Sequence, residues 1–262
     1  MKITAHCLIK NEENFISPAI KSVVGFVDKI LVFDTGSTDG TVNKIKGLMN
    51  EYPGKIIFEE KGDCDKKRHT DLRNEMIEKT TTEWLMILDG DEIWTNSVFK
   101  EAFETISENP DIECLMVPFH LCVGDVFHET VFAGSITALG KKGFFYQRFL
   151  KKVNGVHWGG EYGADTNYNN RGEIFFNEKN TIFLKNKFWH ATHLVRSSVQ
   201  TDYSSGKIRK NKLILSYFLI GKKIKDKMPD ALAGSQRLGY LKSVKNFFIW
   251  VYSRLNQRLT NN

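Results

Sequence analysis

The stretch Trp84-Leu85-Met86-Ile87-Leu88-Asp89-Gly90-Asp91-Glu92 runs five apolar residues straight into an acidic cluster broken by one glycine. An apolar run of that length reads as a buried strand, and the carboxyl end of such a strand is where an open α/β sheet gathers its ligands. Residues i and i+2 of an extended segment share a face, so Asp89 and Asp91 are expected to point the same way. Gly90 lets a backbone approach a ligand closely. Hard carboxylate oxygens suit Mg²⁺ or Mn²⁺, which bind a few acids together with substrate phosphates. An Asp-x-Asp after a strand also arises by chance, so its surroundings decide what it means.

Upstream, strand and helix signals alternate. Ile3 to Ile9, Lys29 to Phe33, Lys55 to Phe58 and residues 84–88 read as strands. Asn14 to Val27, Thr41 to Tyr52 and Thr70 to Lys79 carry apolar residues at helical spacing. That alternation predicts a doubly wound α/β fold, a mostly parallel central sheet flanked by helices with polar loops at the strand C-termini. From about residue 110 the pattern changes. Leu115 to Phe119, Gly143 to Tyr146 and Thr181 to Leu184 read as further strands, and Trp158 to Gly172, rich in Gly, Asn and Asp, reads as a functional loop. After His193 the chain turns basic and helical.

Charge divides the chain in the same place. From Lys185 onward 16 Lys/Arg stand against 3 Asp/Glu, a balance of +13, whereas residues 1–184 carry 21 against 28, a balance of −7. An acidic front suits metal chemistry, and a basic tail suits something anionic or a solvated helical surface. Within the tail, Leu238, Leu241, Val244, Phe248, Val251 and Leu255 form a helical stripe with basic companions. Such a stripe over residues 236–262 would lie peripherally on an anionic membrane or pack against the sheet. The first residues lack the apolar stretch of a signal peptide, and no apolar run approaches a membrane span. Cys7, Cys64, Cys114 and Cys122 form no C-x-x-C pair and read as reduced thiols. The expectation is a cytoplasmic protein, peripheral on the inner face of a membrane.

Three more motifs precede the acidic cluster. Lys10-Asn11-Glu12-Glu13 follows the first strand, and Asp34-Thr35-Gly36-Ser37-Thr38-Asp39-Gly40-Thr41 follows the second. There Asp34 is placed to accept hydrogen bonds from a base or ribose, Gly36 and Gly40 allow tight turns, and the hydroxyls and Asp39 cap a helix. An ordinary strand-turn-helix connection explains the glycines and caps as well. Arg73-Asn74 lies in the third helix, where Arg73 can reach a diphosphate or remain a surface cation.

Taken in order with Glu83 to Glu92, these motifs resemble family 2 glycosyltransferases of the GT-A fold. The similarity looks closest to the branch holding lipopolysaccharide-core glucosyltransferases and a glycosyltransferase that modifies a bacteriocin peptide on Cys. It is clear over residues 1–95 and weakens beyond. It implies a catalytic domain over 1–195, with a nucleotide-sugar-binding half at 1–95 and an acceptor half at 96–195, followed by a basic helical extension at 196–262. It also implies a nucleotide-diphosphate sugar donor, a UDP-sugar first, met by Lys10, Asn11, Glu12, Asp34, Gly36, Arg73 and Asp89. Asp89, Asp91 and His190, the last preferred over His193, would hold Mn²⁺ or Mg²⁺. Members of this type invert the anomeric centre in a single displacement and need a carboxylate base. Relatives often carry Arg-x-Phe and then His-Glu. Here Arg148-Phe149 and His157 are present, but Trp158 stands where Glu is expected. Glu161 is the first choice of base and Asp165 the second, against solvated acids of a Gly-rich surface loop; His157 and Trp158 fall on the acceptor side, Trp158 able to stack on a sugar ring or to pack. Lys207, Arg209, Lys210 and Asn211 resemble the basic helix that follows the late His.

The acceptor is expected to be a cell-surface glycan, a glycolipid or a peptide. Nucleic acid suits the charge but has no base-reading motif. Two other classes compete. A nucleotidyltransferase on the same fold would show a Gly-rich, Arg-Lys-bearing loop where Lys10-Asn11-Glu12-Glu13 stands. A non-enzymatic basic binding module would leave the acidic clusters without a role.

Overall fold

The computed structural model describes residues 1–123, 125–129, 136–163, 165–199 and 222–234. The stripe within 236–262 and the basic group Lys207 to Asn211 lie outside them. Four parallel strands, β1 (Ile3–Ile9), β2 (Lys29–Asp34), β3 (Ile56–Glu60) and β4 (Trp84–Ile87), stand in the order β3-β2-β1-β4. Ile9 lies opposite Asp34 in the ladder, so the loops leaving β1 and β2 emerge side by side. Three helices connect these strands: α1 (Ile16–Val23), α2 (Thr41–Glu51) and α3 (Lys66–Lys79). Alternation of side chains splits β1 and β2 between two cores. Ile3, Ala5, Cys7, Ile9, Ile30 and Val32 pack with α1 and α2 on one face, while Leu31 and Phe33 pack with Leu72 and Met76 of α3 on the other. Helices on both faces are the doubly wound arrangement that the alternation predicts.

The second half extends the same sheet. After the two-residue β5 (Glu92–Ile93) comes α4 (Asn96–Glu108), a helix absent from the sequence reading although Val98, Phe99 and Ala102 have helical spacing and Thr95 caps its first turn. Next follow β6 (Cys114–Val123), β7 (Asp125–Glu129), the small hairpin β8 (Ile136–Ala138) and β9 (Lys141–Gly143), and β10 (Phe145–Lys151). β10 lies antiparallel between β4 and β6, which carries Arg148 of β10 beside the end of β4. The segment expected to be one functional loop holds a second hairpin, β11 (His157–Gly159) with β12 (Thr166–Tyr168). β13 (Thr181–Phe183) and β14 (Phe188–His190) both run parallel to β6, and β14 also pairs with β5, seating His190 opposite Glu92. β15 (Lys222–Lys223) pairs with β7 at the sheet edge, so part of the segment after residue 195 belongs to the sheet. Beneath the β4 end, Trp94 stacks on Phe188 at 4.6 Å and meets the edge of Phe149 at 5.7 Å. This apolar floor fixes β5, β10 and β14 relative to one another. Among the described residues all four cysteines are free and no helix is long and apolar enough to cross a membrane.

One core residue makes the fold sensitive to acid. His6 of β1 is buried, with Nε2 2.5 Å from the Thr80 hydroxyl. Burial, aided by the positive charges of Arg73 and Lys152, pushes its pKa down to about 3. An unfolded imidazole takes a proton near 6.5, so between that value and about 3 the unfolded chain binds more protons than the folded one. The stabilisation is complete above pH 6.5 and is lost as pH falls through that window. Urea unfolding is expected to weaken steadily from pH 6.5 to 4, with a shallower slope in His6→Gln.

Candidate active site

The loops leaving β1 and β2 are stitched to each other. Asn11 adopts φ 57°, a left-handed conformation that Asn tolerates. Its N–H donates to Ser37 Oγ at 2.8 Å, and its side-chain oxygen accepts from Thr38 N at 2.8 Å. Glu12 N donates to Thr41 Oγ1, and Glu13 accepts from Gly40 N, both at 2.8 Å. Asp34 is 2% exposed and closes its own loop. Its Oδ2 accepts from Gly36 N at 3.0 Å and Ser37 N at 2.9 Å, and its Oδ1 accepts from the Ser37 hydroxyl. Both oxygens thus hold the turn, with Gly36 at φ 87°. Lys10 points outward and pairs with Asp63 at 2.5 Å.

The acidic cluster differs from its expected form. β4 ends at Ile87 and Asp89 to Glu92 is a turn, closed by Glu92 N donating to Asp89 O at 3.1 Å. Asp89 and Asp91 therefore do not share the face that an extended segment would give them. Asp89 and Glu92 converge on Arg148, whose Nη2 lies 2.8 Å from Asp89 Oδ2 and also bonds Glu92 Oε1. Asp91 turns instead to His190 Nε2 at 3.5 Å and Arg196 Nη1 at 3.6 Å. Arg196 reaches in from a strap after β14. Asn14 N donates to Arg196 O at 2.9 Å, Asn14 Nδ2 to Val195 O at 3.0 Å, and Ser197 Oγ to Asp39 Oδ2 at 2.6 Å. The Arg196 guanidinium lies 2.6 Å from Glu12 Oε1. The expected boundary at 195/196 thus falls inside a strap that belongs to the site.

Four carboxylates, Glu12, Asp89, Asp91 and Glu92, face two guanidiniums and one imidazole. Glu12, Asp91 and Glu92 are at most 5% exposed, while the Asp89 side chain, 36% exposed, opens to solvent. Burial and the charge of Asp91 push Glu12 up to about 9 against the pull of Arg196. Burial raises Glu92 to about 7 although Arg148 opposes it. For Asp91 burial also acts upward, but His190 and then Arg196 outweigh it and hold the group at about 2. His190 is raised correspondingly by Asp91 against its burial. Acids crowded at such cost are what a bound cation relieves. Asp89, Glu92 and His190 each offer a ligand atom, all within 4.8 Å of one another. Asp91 Oδ2 and His190 Nδ1 are buried without a hydrogen bond. This donor set of carboxylate oxygens and an imidazole fits Mn²⁺ or Mg²⁺.

Gly90 has no room for a side chain, since a Cβ there would lie 2.8 Å from Glu12 Cγ and 3.0 Å from Ile9 Cγ2. Gly90→Ala is expected to destabilise the protein by about 1–3 kcal/mol. Thermal unfolding reads this directly.

The acceptor-side expectations meet a different arrangement. Trp158, open to stacking on a sugar or to packing, is 8% exposed and packs. Its ring lies under the Arg73 guanidinium at 4.4 Å, and its backbone is clamped by Asn74, which accepts from Trp158 N at 2.7 Å and donates to Trp158 O at 2.9 Å. Arg73 Nε is also 3.5 Å from Asp165 Oδ2. So Arg73 and Trp158 pack against each other, and Asp165 joins them. Glu161 and His157 are exposed, and His157 stacks on Tyr168 with ring centroids 5.8 Å apart. His190 stands with Asp89 and Glu92. Sequence reasoning gave no role to Glu92, Arg148 or Arg196. Glu92 was visible as the last acid of the cluster, and Arg148 as part of Arg-x-Phe. For Arg196 nothing in the local sequence gives a signal.

The profile of glycosyl transferase family 2 matches residues 8–187. The SPbeta prophage-derived glycosyltransferase SunS of Bacillus subtilis (strain 168) is 31% identical over 121 residues, 45% of this chain and 27% of SunS. Glycosyltransferase SunS of Bacillus phage SPbeta matches with the same identity and coverage. The chain therefore spans 27% of the length of these relatives. Among solved structures, residues 1–349 of S. aureus TarS share the fold with a TM-score of 0.50 at 12% identity, over 93% of this chain and 68% of that one. A longer TarS chain gives 0.50 at 14% identity, over 86% and 41%.

Proposed function

Since the chain belongs to glycosyl transferase family 2, we propose that it moves a sugar from a nucleotide-diphosphate sugar, a UDP-sugar first, to an acceptor with inversion. The observation that carries this reading is the set of crowded, mostly buried carboxylates where β1 and β4 end, with Asp89, Glu92 and His190 spaced so that they could hold a cation. Mn²⁺ or Mg²⁺ held by Asp89, Glu92 and His190, with Asp91 beside them, would neutralise the charge that gathers on the leaving nucleotide diphosphate. The chain's own residues do the rest. Asp34 and Asn11 shape the two loops that would receive the nucleotide, and Arg148 holds Asp89 and Glu92 in place. Glu161, which the structure leaves exposed, is the base that would take the acceptor proton; Asp165, tied to Arg73, is second.

A thermal-shift panel of nucleotide sugars with and without Mn²⁺ tests the reading. At least one pair is expected to raise the unfolding midpoint only when both are present. No shift with any combination would remove the proposal. The acceptor is proposed to be a glycan or glycolipid at an anionic surface, on the strength of the basic balance after Lys185. Removal of residues 236–262 is expected to abolish binding to anionic vesicles and leave nucleotide-sugar hydrolysis intact. Loss of folding would favour packing of that segment instead.

A further inference from the structure

One face of α3 is given over to holding the loop between β11 and β12. Lys66, Thr70 and Asn74 stand four residues apart, on one stripe of the helix. Lys66 O accepts from Tyr162 N at 3.2 Å, Thr70 Oγ1 donates to Gly160 O at 2.8 Å, and Asn74 clamps the Trp158 backbone from both sides. The neighbouring stripe supplies Arg73 over Trp158 and His69 against Tyr162, whose ring centroids are 4.2 Å apart. A loop pinned at three points could bury its aromatic residue. Yet Tyr162 remains 54% exposed, the most exposed large apolar or aromatic side chain of the described residues.

The place of that open ring is informative. Partial burial and then the negative charge of Asp89 push the Tyr162 phenol up, with Asp91 adding to it and Arg73 and Arg196 opposing. Trp158 packs in one core with Ile87, the last residue of β4 and two before Asp89, so Tyr162 sits beside the carboxylate site in the loop that carries Glu161 and Asp165. The group that must pass between a metal-bound diphosphate and a base is the transferred sugar. A pyranose offers a C–H face to an aromatic ring and hydroxyls to nearby carboxylates, which matches an aromatic floor with acids around it.

Resting on the reading of the site given above, we propose that Tyr162, backed by His69 and held by α3, is the stacking platform for the donor's sugar ring. It is a binding and specificity residue for the sugar and not for the nucleotide. Truncating it should weaken recognition of the sugar alone. The test compares titrations of UDP, UDP-glucose, UDP-N-acetylglucosamine and UDP-galactose, with GDP and GDP-mannose as the second pair, in Mn²⁺, on the full chain and on Tyr162→Ala and Tyr162→Phe. For the nucleotide sugar that the parent binds best, Tyr162→Ala is expected to lose about tenfold in affinity, a loss of ~1.4 kcal/mol. Its affinity for the matching nucleoside diphosphate should stay within about twofold, and Tyr162→Phe should keep the parent values. Equal losses for sugar nucleotide and nucleotide would overturn the proposal, because the ring would then serve the nucleotide or the loop as a whole. Unchanged affinity for both in Tyr162→Ala would overturn it too. Failure of the parent chain to bind any nucleotide or nucleotide sugar is a separate outcome, and it removes the reading of the site along with the platform.

Discussion

Asp91→Asn is expected to lower nucleotide-sugar turnover by about 10²–10³-fold, the range for removing one preorganised electrostatic contact at a reacting centre. The substitution is nearly isosteric and removes only charge. That charge faces His190 and Arg196 at 3.5 and 3.6 Å. With it gone, His190 loses the largest cause of its raised pKa, with Glu92 and Asp89 still acting upward, and the site loses one of four carboxylates available to a cation. Folding should survive, because the amide keeps the volume of the side chain and its oxygen can still accept from one of the two partners in this 3% exposed position. Release of nucleoside diphosphate, measured beside a thermal melt, separates the two effects. Full activity in a folded variant would remove Asp91 from the site.

Arg148→Met is expected to cost about 3–5 kcal/mol of stability, because it leaves buried carboxylate charge without its partner. Glu92 is 0% exposed, and Arg148 is the guanidinium that meets both it and Asp89. Burial already pushes Glu92 up to about 7 in the presence of Arg148, so without that cation the carboxylate either stays charged at that cost or takes up a proton. The Arg148 guanidinium also lies over the Tyr146 ring at 4.8 Å, a contact that Met only partly replaces. For a chain of this size the loss corresponds to a fall of roughly 10 °C in the unfolding midpoint. A fall of under about 2 °C would mean that other groups compensate for the buried acids.

Much of this was legible in the sequence because local rules govern the first 95 residues. The apolar runs of β1, β2, β3 and β4 and the periodicity of α1 and α2 are short-range signals, and the polar residues that follow each strand had to collect at one sheet edge. Where the reading failed, a nearby capping residue or a distant partner decided. Asp65 caps α3 and starts it at Lys66, four residues before the expected Thr70. Asp89 to Glu92 becomes a turn because Arg148, 59 residues from Asp89, draws Asp89 and Glu92 together. Arg196 meets Glu12 across 184 residues, a contact set by β14 running beside β6 and by the strap that follows. Trp158 by its sequence alone suits either a sugar platform or packing. It is buried because Asn74 and Arg73 lie on the facing helix.

The central claim is that the acids at the ends of β1 and β4 form a metal-dependent nucleotide-sugar site. Release of nucleoside diphosphate from a panel of nucleotide sugars, followed with Mn²⁺ and again after chelation by EDTA, tests it most directly. The account predicts release from at least one nucleotide sugar with Mn²⁺, its loss on chelation, and its return when Mn²⁺ is restored. Release that is indifferent to chelation, or absent from every nucleotide sugar with metal supplied, would contradict it.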